Sequence, residues 1–426
     1  MKEPSMTPNF SSSRSEFPAL QQRDAAGRPA IYFDGPGGTQ VPQRVVDAMS
    51  NYLIAHNANT HGAFATSART DEILHNARAA MADFFNAAAS SQIVFGANMT
   101  TLTFHLSRSL GHDWREGDEI MVTRLDHDAN ISPWLALQER GIKIRFLDFK
   151  PEDCTLDYDG LDQLLSSKTK LVAVGLASNA TGTINEVNRI IQKAHAVGAL
   201  VYVDAVHYAP HAPIDVQSLD CDFLVCSAYK FFGPHIGVLY GKHELLERLH
   251  AYKVRPQEPN APFKFETGTL NHEGMAGTEA AIAYLSDLGK RFEAEFSNTV
   301  KNFSGRRLQL KCAMAAIQAY EKSLSEKLIA GLQAIPGTKI YGITDPARFH
   351  QRTPTVALRM PKHSPRAIAE RLAAENIYVW DGNFYALEVT TRLGVEEQGG
   401  VVRIGLAHYN TAEEIDRLLN IVHEFS

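Results

Sequence analysis

The chain has 426 residues, a net charge of −6 and 21% charged residues, with a pI near 6.3. That balance excludes the strong basic field of a nucleic-acid surface, and no apolar run reaches the roughly 18 residues of a membrane span. The length implies two or three structural units, and 44% hydrophobic residues is ordinary for a globular protein.

The first stretch, MKEPSMTPNFSSSRSEF, has no apolar segment of the kind a secretion signal needs and reads as a flexible polar lead-in over residues 1–17. Short apolar runs follow with helical patterns between them. EIMVT (119–123), KIRFLDF (143–149), KLVAVGL (170–176), ALVYVDA (199–205), DFLVCS (222–227) and IGVLYG (236–241) are nearly continuous in apolar residues rather than alternating. That is the pattern of strands covered on both faces. DGLDQLLSS (159–167) and NEVNRIIQKAHAVG (185–198) predict helices between them, so a mostly parallel sheet sandwiched by helices is expected over residues 18–290. A long helical region over 291–334 then leads into TKIYGI, TPTVALRM, SPRAIAERLAAENIYVW and GVVRIGLAHYNTAEEIDRLLNIVHEF. Residues 291–426 therefore predict a smaller C-terminal α+β domain. The four cysteines, Cys154, Cys221, Cys226 and Cys312, show neither metal spacing nor a CxxC pair, which predicts reduced thiols in a cytoplasmic protein.

In an open α/β sheet the chemistry gathers at the carboxyl ends of the strands. Asp204 ends one apolar run, and Lys230 follows another inside CSAYKFFGPHIGVLYG. A lone aspartate there is more often a turn or cap residue, and a lone lysine more often reaches out to solvent. His207 and His211 lack a third partner in sequence, so no metal is expected. A lysine that must form a Schiff base, paired with a carboxylate that receives a pyridinium nitrogen, would explain both positions.

The order of further segments supplies the rest of such a set. VFGANMTTL (94–102), DHDANISPW (126–134), SNATGTINEV (178–187), YVDAVHYAPH (202–211), SAYKFFGPHIG (227–237), FETGTLNHEG (265–274) and VRIGLAHYNT (402–411) together resemble the class V aminotransferase family of fold-type I pyridoxal phosphate enzymes, in its cysteine-desulfurase-like branch. The resemblance runs from about residue 30 to 420. It implies a turn at Asn98, Met99 and Thr100 that binds the phosphate at a helix N-terminus, with Ser227 and Tyr229 beside it. His127 is implied to lie over the cofactor ring, Asn179 and His207 near the ring oxygen, Asp204 on the pyridinium nitrogen, and Lys230 in the Schiff base. Gly268 and Thr269 are implied to reach the phosphate of a neighbouring subunit, hence a homodimer with shared sites. Arg403 is implied to clamp a substrate carboxylate. Gly37, in FDGPGGTQVP, and His61, in NANTHGAFATSARTDE, fall in segments that face substrate in the family, although a plain turn and a solvated loop explain them equally well.

The chain departs from the desulfurase pattern in three places. The region 379–403 holds no cysteine, where desulfurases carry the thiol that accepts sulfur. His207 stands where they usually have glutamine, and Met99 where a threonine is common. The resemblance thus implies an enzyme that forms an external aldimine with a small α-amino acid and acts as a C–S or β-eliminating lyase or an aminotransferase. An epimerase, a β-decarboxylase or aldolase-type enzyme, and a true cysteine desulfurase are the alternatives. A non-catalytic binding relative fits less well, because Lys230, Asp204, His127 and Arg403 are all intact.

Overall fold

The computed structural model describes residues 8–426. Its larger sheet contains β1 (Ile93–Gly96), β2 (Glu119–Thr123), β3 (Lys143–Leu147), β4 (Thr169–Gly175), β5 (Leu200–Asp204), β6 (Phe223–Ser227) and β7 (Gly237–Gly241). Across the sheet they lie in the order β1-β7-β6-β5-β4-β2-β3. The strands from β3 to β6 are parallel to their neighbours, whereas β7 is antiparallel to β6 and to β1. The connection 228–236 is too short for a parallel crossover, which needs a dozen or more residues, so β7 must turn back. The sheet is therefore mixed and mostly parallel.

Successive residues of a strand face opposite sides, and here both sides are covered. Ile120 and Val122 pack into one apolar cluster and Met121 into another. Phe223 and Val225 of β6 likewise join the first while Leu224 and Cys226 join the second. Burial on both faces is the reason that these strands read as unbroken apolar runs.

The main helices are α1 (Ala65–Phe85), α2 (Met99–Gly111), α3 (Val187–Ala196), α4 (His272–Phe296), α5 (Gly305–Gln333), α6 (Pro365–Ala374) and α7 (Ala412–His423). A second, antiparallel sheet holds β8 (Lys339–Tyr341), β9 (Thr355–Arg359), β10 (Trp380–Gly382) and β11 (Val401–Gly405), in the order β8-β9-β11-β10. The expected helical region 291–334 is divided, with a break at 297–304 between α4 and α5. Leu310, Ala313 and Ile317 of α5 pack into the larger core, and Leu324, Leu328 and Leu332 into the smaller one. One helix thus ties the two cores together. The helix expected over 159–167 shrinks to Leu161–Leu164.

Two segments sit differently from the expectation drawn from chain order. The lead-in falls partly outside the described residues, which begin at residue 8, and its remainder is not loose. Phe10 and Phe17 are buried in the main core, and Arg14 donates to the Tyr409 carbonyl and pairs with Glu414. These two aromatic side chains outweigh the polar residues around them, since each buries a large apolar surface. Residues 31–34, in turn, join the smaller sheet's side of the molecule: Ile31 and Tyr32 pair with Ile377 and Tyr378, and Phe33 packs in the smaller core.

Candidate active site

An open cavity of about 1430 Å³ lies at the carboxyl ends of β2, β4, β5 and β6, with β10 and β11 forming its far wall. Its lining brings together Asn98, Met99, Thr100, His127, Asn179, Asp204, His207, Ser227, Tyr229, Lys230, Arg403 and Gly37. These residues come from seven separate segments of sequence, most of them gathered because the parallel strands end on one edge, with Arg403 added from β11 of the smaller sheet.

The phosphate-type corner is built by a close approach of two backbones. Asn98 caps α2, its Oδ1 accepting from the Thr101 amide at 2.8 Å. The Met99 amide donates to Ser227 Oγ at 3.0 Å, joining the helix start to the end of β6. Gly237 of β7 lies beneath this turn, where a β-carbon would sit 2.4 Å from the Asn98 carbonyl carbon. A helix N-terminus backed by a hydroxyl suits an anion.

Lys230 ends the short turn Ala228–Lys230 that follows β6. Its Nζ donates to the carbonyls of Pro36 and Gly37, the latter at 3.0 Å, and lies 4.6 Å from the centre of the Tyr229 ring. Burial, helped by the Arg403 charge, pulls the Lys230 ammonium down to about 7. A lysine in that range is largely a neutral amine at slightly basic pH, as attack on a carbonyl requires.

Two carboxyls sit close by. Asp204 ends β5, and its Oδ1 accepts from the Val206 amide at 2.8 Å. Asp126 follows β2 and accepts from the Gly175 amide at 2.8 Å and from Asn130 Nδ2 at 2.9 Å. Burial raises both, and for Asp126 the neighbouring Asp204 charge raises it further. Like charges in so dry a place disfavour ionising both carboxyls at once. A third carboxyl, Asp34, is also raised by burial, with Arg403 and Lys230 opposing that rise.

His127 Nδ1 accepts from the Ala129 amide at 3.0 Å, so Nε2 carries the proton in the neutral ring. Burial and the charges of Lys230 and Arg403 push it down to about 4, and it stacks on Tyr385 with ring centres 5.6 Å apart. Asn179 Nδ2 donates to the Phe384 carbonyl at 3.0 Å, while its Oδ1 is buried without a partner. Arg403 donates to the Asn179 carbonyl at 3.0 Å, lies 4.1 Å from the Phe384 ring centre, and keeps a buried Nε without a partner. That leaves donor capacity for an anionic group.

The family model described as aminotransferase class-V matches residues 31–310 and 304–418. The chain belongs to the class V aminotransferase family. Enzymes of this family are pyridoxal phosphate dependent, and so is this chain. A cysteine desulfurase from Synechococcus elongatus is 36% identical over 95% of this chain, which spans 62% of that relative's length. A cysteine desulfurase from Dickeya dadantii is 33% identical, covering 96% of this chain and 95% of the relative. Among solved structures, the Escherichia coli cysteine desulfurase CsdA, in an S-sulfonic acid form, superposes with a TM-score of 0.82 at 28% identity, covering 99% of each chain. The apo cysteine desulfurase of Thermococcus onnurineus gives a TM-score of 0.85 at 27% identity, covering 98% of this chain and 99% of the other.

The residues present fit the family's cofactor. The α2 start offers its N-terminal end to a phosphate, Lys230 offers a depressed amine, and the pocket-lining Asn179 and Arg403 keep a buried Oδ1 and Nε without partners. Three expected residues do not line this cavity. Gly268 and Thr269 lie on an exposed turn, and His61 is exposed beside Asp71.

Sequence reasoning passed over Asp126, Asp34, Trp380, Phe384 and Tyr385, all of which line or flank the pocket. Asp126 carried a signal, since it directly follows the strand region and opens the DHDANISPW segment. Phe384 and Tyr385 carried none. They hold φ values of 57° and 56°, a strained left-handed conformation in two successive non-glycine residues. The loop is pinned by Asn179 and by the Asp128 amide, which donates to the Tyr385 carbonyl at 2.6 Å.

Proposed function

We propose that the protein cleaves the carbon–sulfur bond of a small sulfur-bearing α-amino acid, with cysteine the first candidate, and passes no sulfur through a thiol of its own. The names of the relatives favour the cysteine desulfurase alternative over the lyase-or-aminotransferase expectation. The observation that shapes the proposal is the state of the thiols. No cysteine is among the described residues that line the pocket, and Cys154, Cys221, Cys226 and Cys312 are all buried. Burial raises each of them, Cys154 to about 12 and Cys312 to about 11. A thiol so raised is a poor nucleophile because the thiolate is the reactive form.

Bound pyridoxal phosphate supplies an electron sink for a bond broken at the substrate's α-carbon. In this reading Arg403 receives the substrate carboxylate, and Asp204 keeps a proton on the pyridine nitrogen. Lys230 would hold the cofactor, and its amine, when free, would be the base placed to take the α-proton. His127 and Asn179 orient the ring, and Asn98, Met99, Thr100, Ser227 and Tyr229 hold the phosphate end. In elimination the sulfur leaves with the carbon–sulfur electron pair as sulfide; in transfer an outside thiolate attacks the sulfur to give a persulfide, and the carbon–sulfur pair stays on the β-carbon, which takes a proton to become the methyl group of alanine. Gly268, Thr269 and His61 would complete the site of a second subunit in a homodimer.

The test is product analysis of the holoenzyme with L-cysteine, with and without an added dithiol. Sulfide with pyruvate and ammonia supports direct elimination, and alanine with a persulfide on the added thiol supports desulfuration to an outside acceptor. A persulfide trapped on any of the four cysteines overturns the proposal, as does turnover of sulfur-free amino acids alone.

A further inference from the structure

His207 lines the cofactor pocket and is only 5% exposed, and the residue that holds its ring comes from the other side of the molecule. The segment just before β9 is laid along the loop after β4. The Ile184 amide donates to the Gln351 carbonyl at 2.9 Å, and the Thr353 amide to the Gly182 carbonyl at 2.8 Å. This brings Thr353 Oγ1 to 3.0 Å from His207 Nε2, with the same hydroxyl 3.2 Å from the Gly182 carbonyl oxygen.

The proton count at this hydroxyl decides the tautomer of the histidine. A threonine hydroxyl has one proton and a carbonyl oxygen can only accept. With that proton given to Gly182, the hydroxyl meets His207 with a lone pair, so Nε2 must be the protonated nitrogen. The groups charged or titratable around the ring are His211, Arg403 and Lys230, and together with burial they hold it neutral. His211 makes only an edge contact, with ring centres 5.3 Å apart, and gives its Nδ1 to Glu321 at 2.8 Å. Nδ1 of His207 is then the nitrogen left for the pocket, and it carries a lone pair.

We propose that Thr353 is a positioning residue that fixes His207 in the Nε2–H tautomer, so that His207 meets the ring oxygen of pyridoxal phosphate as a hydrogen-bond acceptor. This rests on the placement of that ring oxygen beside His207. A glutamine at this position has a donor to offer, which favours the anionic oxygen. An acceptor held here does the opposite and keeps a proton on the cofactor. The device is divided between the two halves of the protein, because Thr353 lies between β8 and β9 of the smaller sheet and His207 follows β5.

The experiment is a pH titration of the absorption spectrum of the holoenzyme, without substrate, for wild type and for Thr353→Val, Thr353→Ser and His207→Gln. Losing the tie lets the ring present an N–H, so Thr353→Val lowers the midpoint of the spectral transition by about one unit. Thr353→Ser restores it, and His207→Gln lowers it likewise. An unchanged midpoint in Thr353→Val alongside a shifted His207→Gln overturns the role of Thr353 while leaving the placement standing. No shift in either overturns the placement and the proposal with it. Where Thr353→Val fails to fold, Thr353→Ala against Thr353→Ser gives the same contrast. A nitrogen-15 spectrum of histidine-labelled wild-type protein reads the tautomer directly, and a His207 proton on Nδ1 overturns the proposal.

Discussion

Arg403 and Lys230 face one pocket, and the guanidinium's charge adds to burial in holding the Lys230 ammonium down to about 7. Two cations in one cavity are tolerable only if one of them gives up its proton. Below about 7 the amine is protonated and inert, and above it the amine is free to attack. The rate at which cofactor-free protein forms a borohydride-reducible link with pyridoxal phosphate should therefore rise with a midpoint near 7. A midpoint close to the ordinary lysine value, near 10.5, would contradict this geometry. Arg403→Gln should move the midpoint upward.

Lys230→Ala removes both the anchoring amine and the base for the α-proton. Turnover should fall by about a thousandfold or more, and borohydride should no longer attach the cofactor to the chain. Retained attachment at another lysine would show that the wrong residue has been named.

Arg403→Lys keeps the charge and loses the fork that meets a carboxylate with two parallel bonds. KM for the amino acid should rise about 10- to 100-fold, with kcat changed much less. An equal fall in kcat with KM unmoved would place the carboxylate elsewhere.

Asp126 and Asp204 give a stability prediction with a definite sign. Their carboxyls are raised in the folded chain, so their favourable contribution is complete below the unfolded value of about 3.8. It is lost as pH climbs through the folded values, about 6 for Asp204 and about 7 for Asp126. Asp126→Asn should flatten the fall in stability between pH 4 and 7 by about 1–2 kcal/mol, whatever constant offset the lost hydrogen bond adds. Denaturant midpoints of the cofactor-free protein across that window provide the measurement, and an unchanged slope would show that the Asp126 carboxyl is not raised in the folded chain.

Gly237→Ala tests the phosphate corner. The added β-carbon would meet the Asn98 backbone at 2.4 Å, and backbone cannot step aside as a flexible side chain can. The variant should lose about 2 kcal/mol of stability or more and release its cofactor on dialysis. Full retention of cofactor would mean that the turn at Asn98 is not what holds the phosphate.

Much of the fold was legible because buried strands leave a strong mark. The runs at 119–123 and 222–227 became β2 and β6 almost residue for residue, since burial on both faces keeps their central positions apolar. β1 was missed because the four residues 93–96 are too few to show a period. Phe10 and Phe17 were missed because two aromatics in a polar stretch have no periodicity at all, and only the surface they meet decides whether they are buried. The chain's own order likewise hid the pairing of residues 31–32 with 377–378, a contact between segments from opposite ends.

By itself the sequence determined the residue types and the spacing that the chemistry requires: a lysine and an aspartate after apolar strands, a capped helix start, an arginine near the carboxyl end. Those are local requirements, and local pattern carries them. Only the tertiary structure decided which groups share a dielectric and feel one another's charge. It set Asp126 against Asp204, drew Arg403 close enough to depress Lys230, turned Thr353 onto His207, and buried all four thiols away from the pocket. Charge coupling and desolvation depend on distance in space and on what excludes water, and neither quantity is written in the order of the chain.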